Sequence, residues 1–115
     1  MTDTAASTDR VVEKLQAAGI RATSDTSALN PPAVLVPPPV RIWDVGCGYT
    51  AQWNVHAIAG APRGSGDRTV IAQLDELVDA IAATFPAERA QPLAYVLPNG
   101  NSHPSYLVTF TTLED

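Results

Sequence analysis

One cysteine, Cys47, in 115 residues excludes an intrachain disulfide and the stapled folds that small chains use when their core is thin. Lysine is as scarce. Lys14 is the only one, and the other six basic residues are arginines scattered along the chain. Twelve acidic residues outweigh these seven and leave a net charge of −5. A protein that grips nucleic-acid phosphates needs a clustered positive footprint, and an anionic membrane asks for the same. The sequence has no such cluster. The two histidines, His56 and His103, stand far apart, and with one cysteine they do not give the three or four spaced ligands of a zinc centre. No metal or cofactor is expected. No apolar run approaches the roughly 20 residues of a membrane span. The opening Met1 to Asp9 is polar, so no signal peptide is expected, and Met1 to Ser7 is expected to be disordered.

Proline is abundant, at ten residues, and its placement organises the chain. Pro31, Pro32 and Pro37 to Pro39 bracket Ala33 to Val36. Proline lacks a backbone N–H and has a fixed φ, so these residues confine the apolar core to one short strand and forbid a helix. Upstream, Thr8 or Asp9 is read as the cap of a first helix. Val11, Val12, Leu15 and Ala18 fall on one face of it, and Gly19 supplies the stop. Arg21 to Leu29 reads as a polar connection. Val40 to Val45 reads as a strand, Gly46-Cys47-Gly48 as a turn, and Thr50 to Ala57 as the cleanest strand. There Ala51, Trp53, Val55 and Ala57 alternate with Thr50, Gln52, Asn54 and His56. A loop spans 60–66. A second helix capped by Asp67 is predicted to about Phe85, with Val70, Ile71, Leu74, Leu77, Val78, Ile81 and Phe85 as its apolar stripe. Strands at Leu93 to Leu97 and Ser105 to Thr112 flank a loop at 98–104 that contains Asn99-Gly100 and His103.

These elements predict a single α+β domain over residues 1–115: a mixed, mostly antiparallel sheet of about four or five strands with two helices packed on one face. The other face of the Thr50 to Ala57 strand is left for solvent or a partner.

Candidate chemistry is thin. Arg63-Gly64-Ser65-Gly66-Asp67-Arg68-Thr69 precedes a helix, where backbone N–H groups can cradle an anion. It lacks the P-loop lysine and the third glycine of a dinucleotide fingerprint, and Asp67 puts a negative charge where a phosphate would sit. A flexible loop with a helix cap is the plainer reading. Cys47 would need a base to act as a nucleophile, and His56 is nine residues away. Asp75, Glu76 and Asp79 lie on the wet side of the second helix, where charge is ordinary. Trp53 is expected in the core by its alternation. Trp43 and Tyr49 flank the glycine turn, and core and interface roles are both open for them. With Arg63, Asn99 and His103 they make the candidate surface for an oligomer or partner.

The run VVEKLQAAGI, the NPPAVLVPPP strand, WNVHAIAG with the glycine loop after it, the helix TVIAQLDELVDAI and the closing PSYLVTFTT together resemble the small tail terminator proteins of long-tailed bacteriophages. The likeness covers residues from about 10 to 113 and is one of element order, length and texture. It implies a virion protein, not an enzyme, with no catalytic residues to carry over. It further implies a hexameric ring that caps the tail tube, stops its growth and meets the head-completion proteins, with DNA passing through the lumen unheld. Such a protein is assembled in the host cytoplasm and resides at the tail–neck junction. The alternatives are another neck protein, for head closure or head–tail joining, and a small anion-binding module or enzyme built on Gly64 to Thr69.

Overall fold

The computed structural model describes residues 4–43, 49–60, 68–98 and 100–114, with Glu114 described by its backbone alone. Its elements run α1 (Thr4–Ala17), β1 (Ala22–Thr23), β2 (Ala33–Leu35), β3 (Val40–Ile42), β4 (Tyr49–Ile58), α2 (Arg68–Thr84), β5 (Ala87–Val96) and β6 (Ser102–Glu114). The strands form one six-stranded sheet in the order β1-β2-β4-β6-β5, with β3 on β4 beside β2. Only β1 and β2 pair in parallel; every other pairing is antiparallel. The expected fold class holds, with one strand more than the upper count.

β4 is the centre of the sheet, and its alternation explains the architecture. Ala51, Trp53, Val55 and Ala57 are fully buried, while the residues between them are half-buried. Opposite them on β6 stand Thr112, Phe110, Val108 and Tyr106. Both helices cover this face, since Val11 and Leu15 of α1 and Ile81 of α2 share its core. The aromatics stack in sequence: Phe85 lies on Phe110 at 4.4 Å, and Phe110 on Trp53 at 6.4 Å. Trp53 satisfies its one polar atom by donating Nε1–H to Thr112 Oγ1 at 2.9 Å.

α1 begins at Thr4, not after Thr8 or Asp9, so residues 4–7 are ordered helix and the expected disorder of that stretch is corrected. Thr8 does not cap. Its hydroxyl donates back to Thr4 O at 2.8 Å, inside the helix, and Ser7 and Thr8 are buried. The predicted stop holds. Gly19 sits at φ +85°, its N–H bonds Gln16 O, and Ile20 N–H bonds Leu15 O, both at 3.0 Å. This is a Schellman closure, with Ile20 and Leu15 buried together behind it.

The proline-fenced strand is observed as Ala33–Leu35, buried throughout. Its outer neighbour β1 falls inside the segment read as a polar connection. Two residues are too few to show a pattern, but Val34 N–H and Val36 N–H bond Arg21 O and Thr23 O at 2.8 and 2.9 Å. β5 starts at Ala87, six residues before the predicted strand, and β6 at Ser102. The loop between them is correspondingly short. Gly100, at φ +89°, closes it through its N–H to Leu97 O at 2.9 Å. His103 therefore lies in β6, not in a loop, which corrects its expected setting. Of the strand read at Val40 to Val45, Val40–Ile42 is observed. The Gly46-Cys47-Gly48 turn, Asp67 and all of the predicted loop 60–66 except Gly60 lie outside the described residues. Among the described residues no helix is long and apolar enough to cross a membrane.

Candidate functional site

Of the large hydrophobic side chains left in solvent among the described residues, Val40, Ile42, Trp43 and Leu113 stand at one end of the sheet, while Ile71 stands on α2 and Leu93 and Val96 on β5. β3 pairs with the start of β4 and β4 with the end of β6, so Ile42, Thr50 and Leu113 form one row across the sheet, and Val40, Gln52 and Thr111 the next. Val40, Ile42 and Leu113 are 49%, 44% and 87% exposed. By alternation they lie on the face away from the helices. Further along, that face turns polar. Thr109 donates to Asn54 Oδ1 at 2.9 Å across the β4–β6 pair.

On the opposite face of the same end, Arg41 stands across from Ala51. Its guanidinium lies 5.3 Å from the Trp43 ring and 6.0 Å from the Tyr49 ring, and the two rings are 5.8 Å apart. Trp43 is 63% exposed, whereas Tyr49 is buried. The pair that the sequence left open thus divides: Tyr49 is a base and Trp43 the projecting ring. Tryptophan, tyrosine and arginine are the residues most enriched where interfaces concentrate their binding energy.

At the other end, a groove of about 490 Å³ runs between α2 and the β5–β6 hairpin, walled by Ile71, Leu74, Pro92, Ala94, Pro104 and Tyr106. Its floor is apolar because Leu74 packs with Val70 and Ala59 against Tyr106. The long α2 stripe shows where the groove is. The wall supplied by Pro92 and Ala94 depends on the register of β5, for which local sequence carries no signal.

The remaining predicted residues are not brought together. His103 is buried, and its Nδ1–H donates to Ala59 O at 2.8 Å, a bond that holds the β6 start to the end of β4. Arg63 and Asn99 lie outside the described residues, as do Cys47 and Gly64 to Asp67 of the glycine loop. His56 is half-buried with its ring 5.1 Å from Tyr95, and desolvation holds its pKa below the ordinary histidine value. Asp75, Glu76 and Asp79 are exposed on α2. Among the described residues no three or more His, Cys, Asp or Glu side chains group as metal ligands would.

The chain matches no family model, no curated protein and no solved structure.

Proposed function

We propose that this chain is a structural assembly protein that works through its surfaces, and specifically a tail terminator of a long-tailed bacteriophage. In this reading several copies, six by the resemblance, close into a ring on the finished tail tube. The ring blocks further addition of tube subunits and offers its far side to the head-completion proteins. The genome passes through its lumen.

The observation that carries the reading is that Val40, Ile42 and Leu113 stand exposed together on the reverse face at one end of the sheet, while Trp43 projects from the other face of the same end. Scattered exposed apolar residues are ordinary on a monomer, and three in adjacent rows of one face, with a tryptophan projecting at the same end, support a contact role for that end. A ring needs contacts of this kind, repeated around a rotation axis. The acidic balance fits the same role, since a net charge of −5 spread over each copy gives a lumen little hold on phosphates. The step from an assembly surface to this assembly rests on the order and texture of the elements described above.

The test is an image of virions made without this gene. Tails longer than normal, or tails of any length that fail to join heads, are the expected result. Virions with tails of normal length, joined to heads, would remove the reading.

A further inference from the structure

β5 is the last strand of the sheet, and among the described residues no strand pairs with its outer side. Its register on β6 runs unbroken from Arg89 to Val96, and just beyond it Leu97 N–H bonds Asn101 O at 2.8 Å. Backbone groups alternate sides along a strand, so those of Gln91, Leu93 and Tyr95 face β6 as Leu97 does. Those of Ala90, Pro92, Ala94 and Val96 face outward. From Pro92 onward the outer edge therefore offers the carbonyl of Pro92 and both the N–H and the carbonyl of Ala94 and of Val96. Strand edges are ordinarily blunted by brevity, charge or proline. β5 is ten residues long, Ala90 to Val96 holds no charged residue, and Pro92 withdraws a donor at one point only.

The apolar groove lies along this same edge. Pro92 and Ala94 wall it from β5, Pro104 and Tyr106 from the paired positions of β6, and Ile71 and Leu74 from α2. By alternation Val96 stands on the same face of β5, and it and Ile71 are exposed. A strand added outside β5 would lie about 4.8 Å away. Its residues across from Pro92, Ala94 and Val96 would turn their side chains to the groove side. The open edge asks for backbone donors and acceptors in extended form, and the groove asks for apolar side chains at every second position. Charge completes the specification. No charged side chain walls the groove, and Arg68 and Asp75, exposed on α2 at i−3 and i+4 from Ile71, have opposite signs and favour neither.

We infer that β5 is a strand-addition site: it takes an extended, uncharged segment of a partner protein, about five residues long, which pairs with Pro92 to Val96 and sends alternate apolar side chains into the groove beside α2. A second β5 does not meet these terms. Antiparallel pairing centred on Ala94 sets the Pro92 of each copy against Val96 of the other, whose carbonyl then has no donor. The site is separate from the Trp43 end and does not depend on the assembly reading above.

Amide hydrogen exchange read by NMR on the purified full chain tests this, with a capped peptide of alternating threonine and valine, carrying two terminal lysines for solubility, as the probe. In the free chain Leu93 and Tyr95 N–H are protected, while Ala94 and Val96 N–H exchange freely. The peptide slows exchange at Ala94 and Val96 by about tenfold or more. Methylating one alternate set of peptide nitrogens abolishes this protection, and methylating the other set spares it, because only one set faces β5. A ligand held in the groove by side chains alone responds to both sets alike. Ala94→Pro removes an outward donor without touching the ladder to β6, and Ile71→Asp puts a carboxylate at the groove; each weakens peptide binding by about tenfold or more. Pro92→Val supplies the missing donor and tightens binding by about threefold.

No added protection at Ala94 and Val96 at about 1 mM peptide overturns the inference. So does equal loss of binding with both methylated sets, a result that needs no variant to fold. Protection of Ala94 and Val96 that rises with protein concentration in the absence of peptide would give the edge to a second copy and also overturn it. None of these measurements uses tails, so the site and the assembly reading fail separately. Overlong tails in the gene deletion with no peptide bound leave the reading standing and the site wrong. Normal tails with the expected protection leave the site standing and remove the reading.

Discussion

His56 shows what a single polar residue does to the stability of this fold. It alternates into the half-wet face of β4, beside Leu107 of β6 and against the Tyr95 ring, and its Nδ1 is buried with no hydrogen-bond partner among the described residues. Burial lowers its pKa, so protonation is harder in the folded chain than in the unfolded one. The sign follows from linkage. At pH values above the ordinary histidine range both states hold a neutral ring and no penalty arises. As pH falls through that range, the unfolded state takes up the proton first, and stability is lost. Urea midpoints measured at pH 7.5 and pH 5 should therefore fall further for wild type than for His56→Gln; equal losses would place the acid sensitivity elsewhere. Phe110 is the contrasting residue. It is fully buried between Trp53 and Phe85 with no polar duty. Phe110→Ala should cost about 3–5 kcal/mol in chemical unfolding. Its stacking partner Trp53 was legible as core from the alternation of β4 alone. His103 was not, because the sequence shows a histidine between a turn and a proline and does not show the carbonyl of Ala59 that the fold brings to it.

The same contrast holds among the elements. β4 and α2 were readable because each has one buried and one wet face, so side-chain period and burial coincide. β5 has neither property. Nearly all of Ala87–Val96 is exposed, with a proline in the middle, and the strand exists because β6 offers it a ladder. The hidden strand in turn hid the groove wall. Pro92 has a further consequence. Ser105 Oγ–H donates to Leu93 O, so the carbonyl of Leu93 points toward β6. In a strand a residue's N–H and C=O share a side and neighbours alternate, so the imide nitrogen of Pro92 lies on the outer edge. There it removes one donor from an otherwise open strand edge, a standard protection against uncontrolled pairing. Pro92→Thr should leave the unfolding midpoint nearly unchanged and increase light scattering on storage; unchanged scattering would mean that other features protect the edge. At the end of α1, Gly19 is held at a positive φ with open space around it. Gly19→Ala should cost about 1 kcal/mol through backbone strain alone, read as a lowered urea midpoint.

At the scale of the whole molecule, the sheet is a two-sided object with one side spent. The helices fill one face, and Val40, Ile42 and Leu113 stand exposed on the reverse of β3 and the end of β6, with Trp43 exposed at the same end and Ile71, Leu93 and Val96 exposed on α2 and β5. Fold class and the existence of an unpaired face followed from the sequence pattern, because period two on β4 and the single apolar stripe of α2 leave no other layer to cover the reverse. Which residues sit together on that face depends on register between strands far apart in sequence, such as Ile42 with Thr50 and Thr50 with Leu113. This division makes stability and association separable. Leu113 is 87% exposed and contributes almost nothing to the core. Leu113→Asp should shift unfolding by no more than about 0.5 kcal/mol, as for surface changes in general. If the reverse face touches the tail tube or a neck protein, the same substitution puts a charge into a desolvated contact and weakens binding to assembled tubes. Calorimetry on the free variant and co-sedimentation with tail tubes measure the two effects independently. A variant that melts normally and binds tubes normally would free this face of any docking role and leave the Trp43 end and the groove as the surfaces that matter.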